Sequence, residues 1–65
     1  MSAPVRHLTT AELADRTGIP AETFRYWRAM GRGPTYLKLG RVIRYRLADV
    51  EAWELSGLVE PLSRH

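Results

Sequence analysis

Cysteine is absent from the chain, which excludes a disulfide framework and any zinc site built on thiolates. The two histidines, His7 and His65, are isolated and cannot complete a metal shell on their own. No metal and no other cofactor is expected. Long apolar runs are missing too, and nothing approaches the length of a membrane span or of a secretory signal core. The expectation is a soluble protein of a reducing cytoplasm with no membrane partner. The most informative absence is local. From Thr23 to Arg46, in TFRYWRAMGRGPTYLKLGRVIRYR, there is no Asp or Glu, while seven of the ten Lys and Arg fall there. All seven acids lie outside that stretch. The net charge of +3 is small, but this distribution makes one region strongly cationic. Lys and Arg gathered on one surface displace counterions from nucleic-acid phosphates, whereas a solvated charged face is the plainer reading of most charge runs.

What is present fits one small domain. A chain of 65 residues buries only about 60% of the surface its unfolded form exposes, so the core has to be compact. LTTAELADRTGIP carries a helix start: Thr9 as N-cap, Glu12 closing a capping box, and Leu8 and Leu13 placed as a hydrophobic staple. The first helix is expected over Thr10 to Arg16. It stops at Gly18 in a left-handed cap, with Ile19 reaching back to Ala14 in a Schellman arrangement. Pro20 then opens a second helix over Ala21 to Met30. Its apolar face carries Phe24 and Trp27; the opposite face carries Glu22, Arg25, Tyr26 and Ala29, with Arg28 at the flank. Ala14 and Gly18 are expected to be small because the helices cross closely there.

GRGP at residues 31–34 breaks the second helix. TYLKLGRVIRYR reads as a β-hairpin around Gly40. A three-residue loop, Gly40 to Val42, pairs Leu39 with Ile43 and Leu37 with Tyr45, giving an apolar face and a basic face of Lys38, Arg44 and Arg46. LADVEAWELSG places Leu47, Val50 and Trp53 at helical spacing, with Asp49 and Glu51 toward the positive end of the dipole and Gly57 as stop. The expected division is a flexible N-terminus over residues 1–7, one domain over 8–57 and a tail over 58–65. The fold class is mainly α with a small β-hairpin.

Two helices joined by a tight glycine turn let the second helix protrude, and a DNA major groove is wide enough to admit it. The hairpin, with Lys38, Arg41 and Arg44 exposed, can follow the backbone or reach a narrow minor groove. On this reading the DNA-binding residues are Ala21, Glu22, Thr23, Arg25, Tyr26 and Arg28 on the helix and Lys38, Arg41, Arg44 and Arg46 on the hairpin. Arg25 and Arg28 suit phosphate; Glu22 accepts from a cytosine amino group, partners the helix dipole or pairs with Arg25.

The segments TAELADRTGI, TFRYW, PTYLKLGRVIRYR and DVEAW together resemble the small winged helix-turn-helix domains of the excisionase family, relatives of the MerR-type DNA-binding domain, over about residues 8 to 55. The resemblance implies a phage or prophage protein of a bacterial host that binds double-stranded DNA. It would act as a recombination directionality factor with an integrase, or as a small transcriptional regulator of a mobile element. Cooperative assembly of neighbouring copies on DNA is expected, since one helix and one wing touch few base pairs. No small-molecule partner is expected. Catalysis is not expected either, because no nucleophile has a base partner and the glycines lack the phosphate-loop lysine pattern. A protein-interaction adaptor using the acidic third helix or the tail is the reading from another class.

Overall fold

The computed structural model describes residues 6–61, and its elements run β1 (His7–Leu8), α1 (Thr10–Thr17), α2 (Ala21–Ala29), β2 (Leu37–Leu39), β3 (Val42–Arg46) and α3 (Leu47–Ser56). Three helices and a small antiparallel sheet of strand order β1-β3-β2 give the winged helix-turn-helix architecture expected from the sequence. The expected N-terminal segment at 1–7 and tail at 58–65 lie partly outside the described residues.

The start of α1 is held by a capping box. Thr9 Oγ1 accepts from the Glu12 N–H at 3.0 Å, and the Glu12 carboxylate accepts from the Thr9 N–H at 2.8 Å. Such a cap contributes about 1 kcal/mol. Leu8 and Leu13, on either side of it, are both buried. The end of α1 differs from the sequence expectation. Gly18 does adopt φ +76, and its N–H reaches the Ala14 carbonyl at 2.8 Å. The Ile19 N–H, however, donates to Thr17 Oγ1 at 3.2 Å, so the turn closes as a single-bond left-handed cap rather than a Schellman motif. A Cβ on Gly18 would meet nothing within 4 Å. Its requirement is conformational, not the close helix crossing that its size suggested.

The Schellman motif is found at the end of α2. Gly31 takes φ +72 and donates to the Arg28 carbonyl at 3.2 Å, and the Arg32 N–H donates to the Trp27 carbonyl at 2.7 Å. Met30 is consequently the cap of α2 rather than its last helical residue. The helix begins at Pro20 with no side-chain cap.

The hairpin register overturns the expected one. Leu39 pairs with Val42, Lys38 with Ile43 and Leu37 with Arg44, leaving Gly40 and Arg41 as a two-residue loop. The cause lies in backbone conformation. A three-residue loop ends on a left-handed residue, which would be the β-branched Val42. Instead the one positive φ of the loop falls on Gly40, at +65, and no non-glycine residue among those described has one, as a type II′ turn requires. Shifting the register reassigns the faces. Ile43 and Tyr45 turn toward the core, with the exposed Lys38 on the same side of the ribbon, whereas Arg44 and Arg46 share the other face with Leu37, Leu39 and Val42. The expected split into an apolar and a basic face does not exist.

Strand β1 had no counterpart in the sequence reading. Leu8 pairs with Tyr45 and His7 with Arg46, and the Leu47 N–H donates to the Arg6 carbonyl at 3.0 Å, so the N-terminal strand closes the sheet on its far side. The core consists of Leu8, Leu13, Phe24, Tyr45 and Val50, with Ile19, Trp27, Ile43, Leu47 and Trp53 packed against it. Phe24 is its hub: its ring meets Trp27 at 5.5 Å, Trp53 at 6.1 Å and Tyr45 at 6.3 Å, all edge-to-face. Helix α3 is further tied to α1 by a two-point ion pair in which Arg16 Nε and Nη2 each lie 2.7 Å from a Glu54 carboxylate oxygen. That hydrogen bonding raises the Arg16 pKa and holds the Glu54 carboxyl below the ordinary carboxylate range.

Candidate nucleic-acid interface

Because Phe24 anchors α2 from below, the positions turned away from it are fixed outward. Glu22, Arg25, Tyr26 and Ala29 are exposed, whereas Ala21 and Thr23 at the start of the helix are half-buried. Arg25 Nη1 lies 3.0 Å from Glu22, which also sits in the first turn of α2, so the ion pair and the dipole position are both present in the protein alone. Both side chains are largely exposed, at 55% and 84%. A pair so placed is worth little and can be exchanged for a contact with phosphate or base. Tyr26 and Met30, four residues apart, remain 57% and 53% exposed. Side chains of this kind can meet a thymine methyl or a sugar.

Arg28 occupies a different environment from the other cations of α2. It is half-buried, and its Nη1 donates to the Tyr45 hydroxyl at 2.7 Å and to Thr10 Oγ1 at 3.2 Å. Its guanidinium carbon lies 5.8 Å from the centre of the Tyr36 ring and 5.9 Å from that of Tyr45. Tyr36 in turn packs on Tyr45 at 6.1 Å. Through this residue α2 is joined to the start of α1 and to the base of the hairpin.

On the hairpin, Lys38 and Arg41 are exposed and form no ion pair within the described residues. Arg44 is half-buried and folds back to donate to the Ile43 carbonyl at 2.7 Å. Arg46 Nε donates to Asp49 at 2.7 Å, in the first turn of α3. The structure therefore does not gather Lys38 with Arg44 and Arg46, which stand on the opposite face of the ribbon. That opposite face carries exposed apolar side chains, Leu39 at 55% and Val42 at 43%.

Two residues near these groups escaped the sequence reading. Arg32 is exposed and has no acidic partner among the described residues; GRGP had been taken only as a helix breaker, although Arg32 lies within the acid-free stretch. Tyr36 had no assigned place because the expected register left it opposite the core, whereas it packs on Tyr45.

Comparison with known proteins agrees with this geometry. A family profile described as a helix-turn-helix domain matches residues 8–56, from the strand before α1 to the last residue of α3. No curated protein and no solved structure matches the chain. With the profile spanning all three helices and the hairpin, the chain belongs to this helix-turn-helix family of DNA-binding domains, found in excisionase-like proteins.

Proposed function

We propose that this protein binds double-stranded DNA sequence-specifically, with α2 in the major groove and the β2–β3 hairpin as a wing along the flanking backbone. We further propose that it serves as an excisionase of a phage or prophage, biasing a site-specific integrase toward excision in the bacterial cytoplasm. The observation that carries the reading is the exposed α2 face continuous in sequence with a hairpin that bears cations and no carboxylate. A carboxylate facing phosphate would repel it, so a stretch without Asp or Glu from Thr23 to Arg46 fits a polyanion. Sequence would be read by Glu22, Thr23 and Tyr26, with Ala21 allowing close approach, while Arg25 would hold phosphate and Lys38, Arg41 and Arg44 would supply wing contacts. Arg46, which spans His7 on β1 and Asp49 on α3, would reach phosphate only by releasing Asp49.

The specificity of one helix and one wing is small, so neighbouring copies on repeated sites are part of the proposal. Two substitutions separate reading from holding. Arg25→Ala should weaken binding to all duplexes alike, and Glu22→Ala should change the order of preference in a selection from random duplexes. An unchanged preference for the Glu22 variant would remove it from the reading surface. The excisionase role is tested by adding the protein to its neighbouring integrase on attachment-site DNA; a rise in repression of a promoter without any change in excision would assign it to transcriptional regulation instead. An adaptor role is favoured only by the apolar exposure of Leu55 in the last turn of α3 and of Leu58 and Val59 after it.

A further inference from the structure

An open concavity of about 320 Å³ lies beside the end of α2, lined by Arg28, Arg32, Tyr36 and the intervening loop at 31–35. Its two cations are presented differently. Arg28 is locked by the Tyr45 hydroxyl, by Thr10 Oγ1 and by two aromatic faces. All of these partners are neutral. They fix the guanidinium without cancelling its charge, and no carboxylate lies within ion-pair distance of it among the described residues. Half-buried arginine ordinarily meets a carboxylate, because removing a charge from water is costly unless an opposite charge compensates. Arg32 has its backbone pinned by the Schellman hydrogen bond to Trp27, while its side chain is exposed and unpaired. The backbone N–H groups of Gly33, Thr35 and Tyr36, in the same lining, also find no acceptor among the described residues.

We propose that this concavity is a phosphate site, in which Arg28 and Arg32 share the non-bridging oxygens of one phosphoryl group while Tyr36 borders it. Guanidinium forks match a tetrahedral oxyanion, and a pair of them around an open concavity admits a phosphodiester with its sugars attached. The chemistry identifies a phosphoryl group; that its source is a DNA backbone phosphate rests on the DNA-binding reading above. The consequence is an anchor distinct from both the outward face of α2 and the tip of the wing. Because Arg28 is rigid, the anchor sets the depth and tilt at which α2 meets a groove.

The test uses the whole chain and Arg32→Gln, since Arg32 has no partner whose loss would disturb folding. Arg28→Met is unsuitable by itself, as it strands the Tyr45 hydroxyl. Inorganic phosphate titrated against the protein should move the amide resonances of Gly31, Arg32, Gly33, Thr35 and Tyr36 along a saturable curve, and that response should be lost in Arg32→Gln. On duplex DNA the same variant should bind every sequence more weakly, with the slope of log K against log salt less steep by about 1. Overturning results are shifts spread evenly over the protein, equal saturation by acetate, or an unchanged slope in the variant. Localised phosphate shifts in a protein that binds no duplex would keep the site for a free phosphoryl compound and would sink the DNA reading instead.

Discussion

Arg16 and Arg28 sit on adjacent helices, yet their guanidinium groups meet opposite chemistry. On the α1–α3 side, Arg16 is closed off by both oxygens of Glu54, and at the start of α3 Arg46 is met by Asp49. On the α2–hairpin side, Arg28 is held by hydroxyls and rings, Arg44 by a backbone carbonyl, and Lys38, Arg41 and Arg32 by no carboxylate among the described residues. The first set of charges is paired within the protein, at its surface. The second is left without a carboxylate partner, with Arg28 and Arg44 held by neutral groups, which is what a surface for an external polyanion requires. The Arg25–Glu22 pair is intermediate, formed but exposed enough to be given up.

Phe24 holds the two sides together, since its ring touches Trp27, Trp53 and Tyr45. Phe24→Ala should therefore destabilise the domain by about 3–5 kcal/mol and remove DNA binding with it. Chemical denaturation would check this, and a loss confined to one side would show that the sides fold separately. A smaller effect should come from Tyr45→Phe, which keeps the ring in the core and deletes only the nearer of the two acceptors of Arg28. We expect a stability loss of about 1.5–3 kcal/mol, as for a hydrogen bond to a charged group. Affinity for DNA should fall further than stability alone explains, because Arg28 loses its fixed position.

The least effect is expected on the neutralised side. Glu54→Gln removes an exposed pair, so the melting temperature at neutral pH should drop only slightly, with DNA binding unchanged. The pH dependence carries the sign. Glu54 has a lower pKa folded than unfolded, so the unfolded chain takes up this proton first. The contribution of the pair is complete above the unfolded pKa and is lost as pH falls through the folded one. Melting curves across the acid limb should be flatter for Glu54→Gln than for the parent; identical slopes would mean that the pair is not formed in solution.

How much of this could be read from the residues follows the range of the interactions. The capping box of Thr9 and Glu12, the left-handed Gly18 and the outward set Glu22, Arg25, Tyr26 and Ala29 depend on neighbours within a turn or two, and each is found in the structure. The hairpin register was misread because Leu37 with Leu39 and Ile43 with Tyr45 both alternate, and matching them looked like one apolar face. Turn stereochemistry decided otherwise, placing the positive φ on Gly40 and turning Leu37 and Leu39 away from Tyr45. Strand β1 leaves no trace in local pattern, being two residues paired with a strand far along the chain. Arg28 was legible as a cation of α2 but not as one tethered to Tyr45 and Thr10, a relation set only by tertiary packing. Arg32 went unnoticed because its neighbouring glycines signalled only a break.

On the function proposed above, the cations of the α2–hairpin side stay uncompensated so that they can meet the phosphates of a duplex. Duplex binding measured over a series of salt concentrations tests it most directly. With about four to six phosphate contacts, log K should fall against log salt with a slope of roughly −4 to −5. A line that stays flat as salt rises would mean that these cations do not meet phosphate.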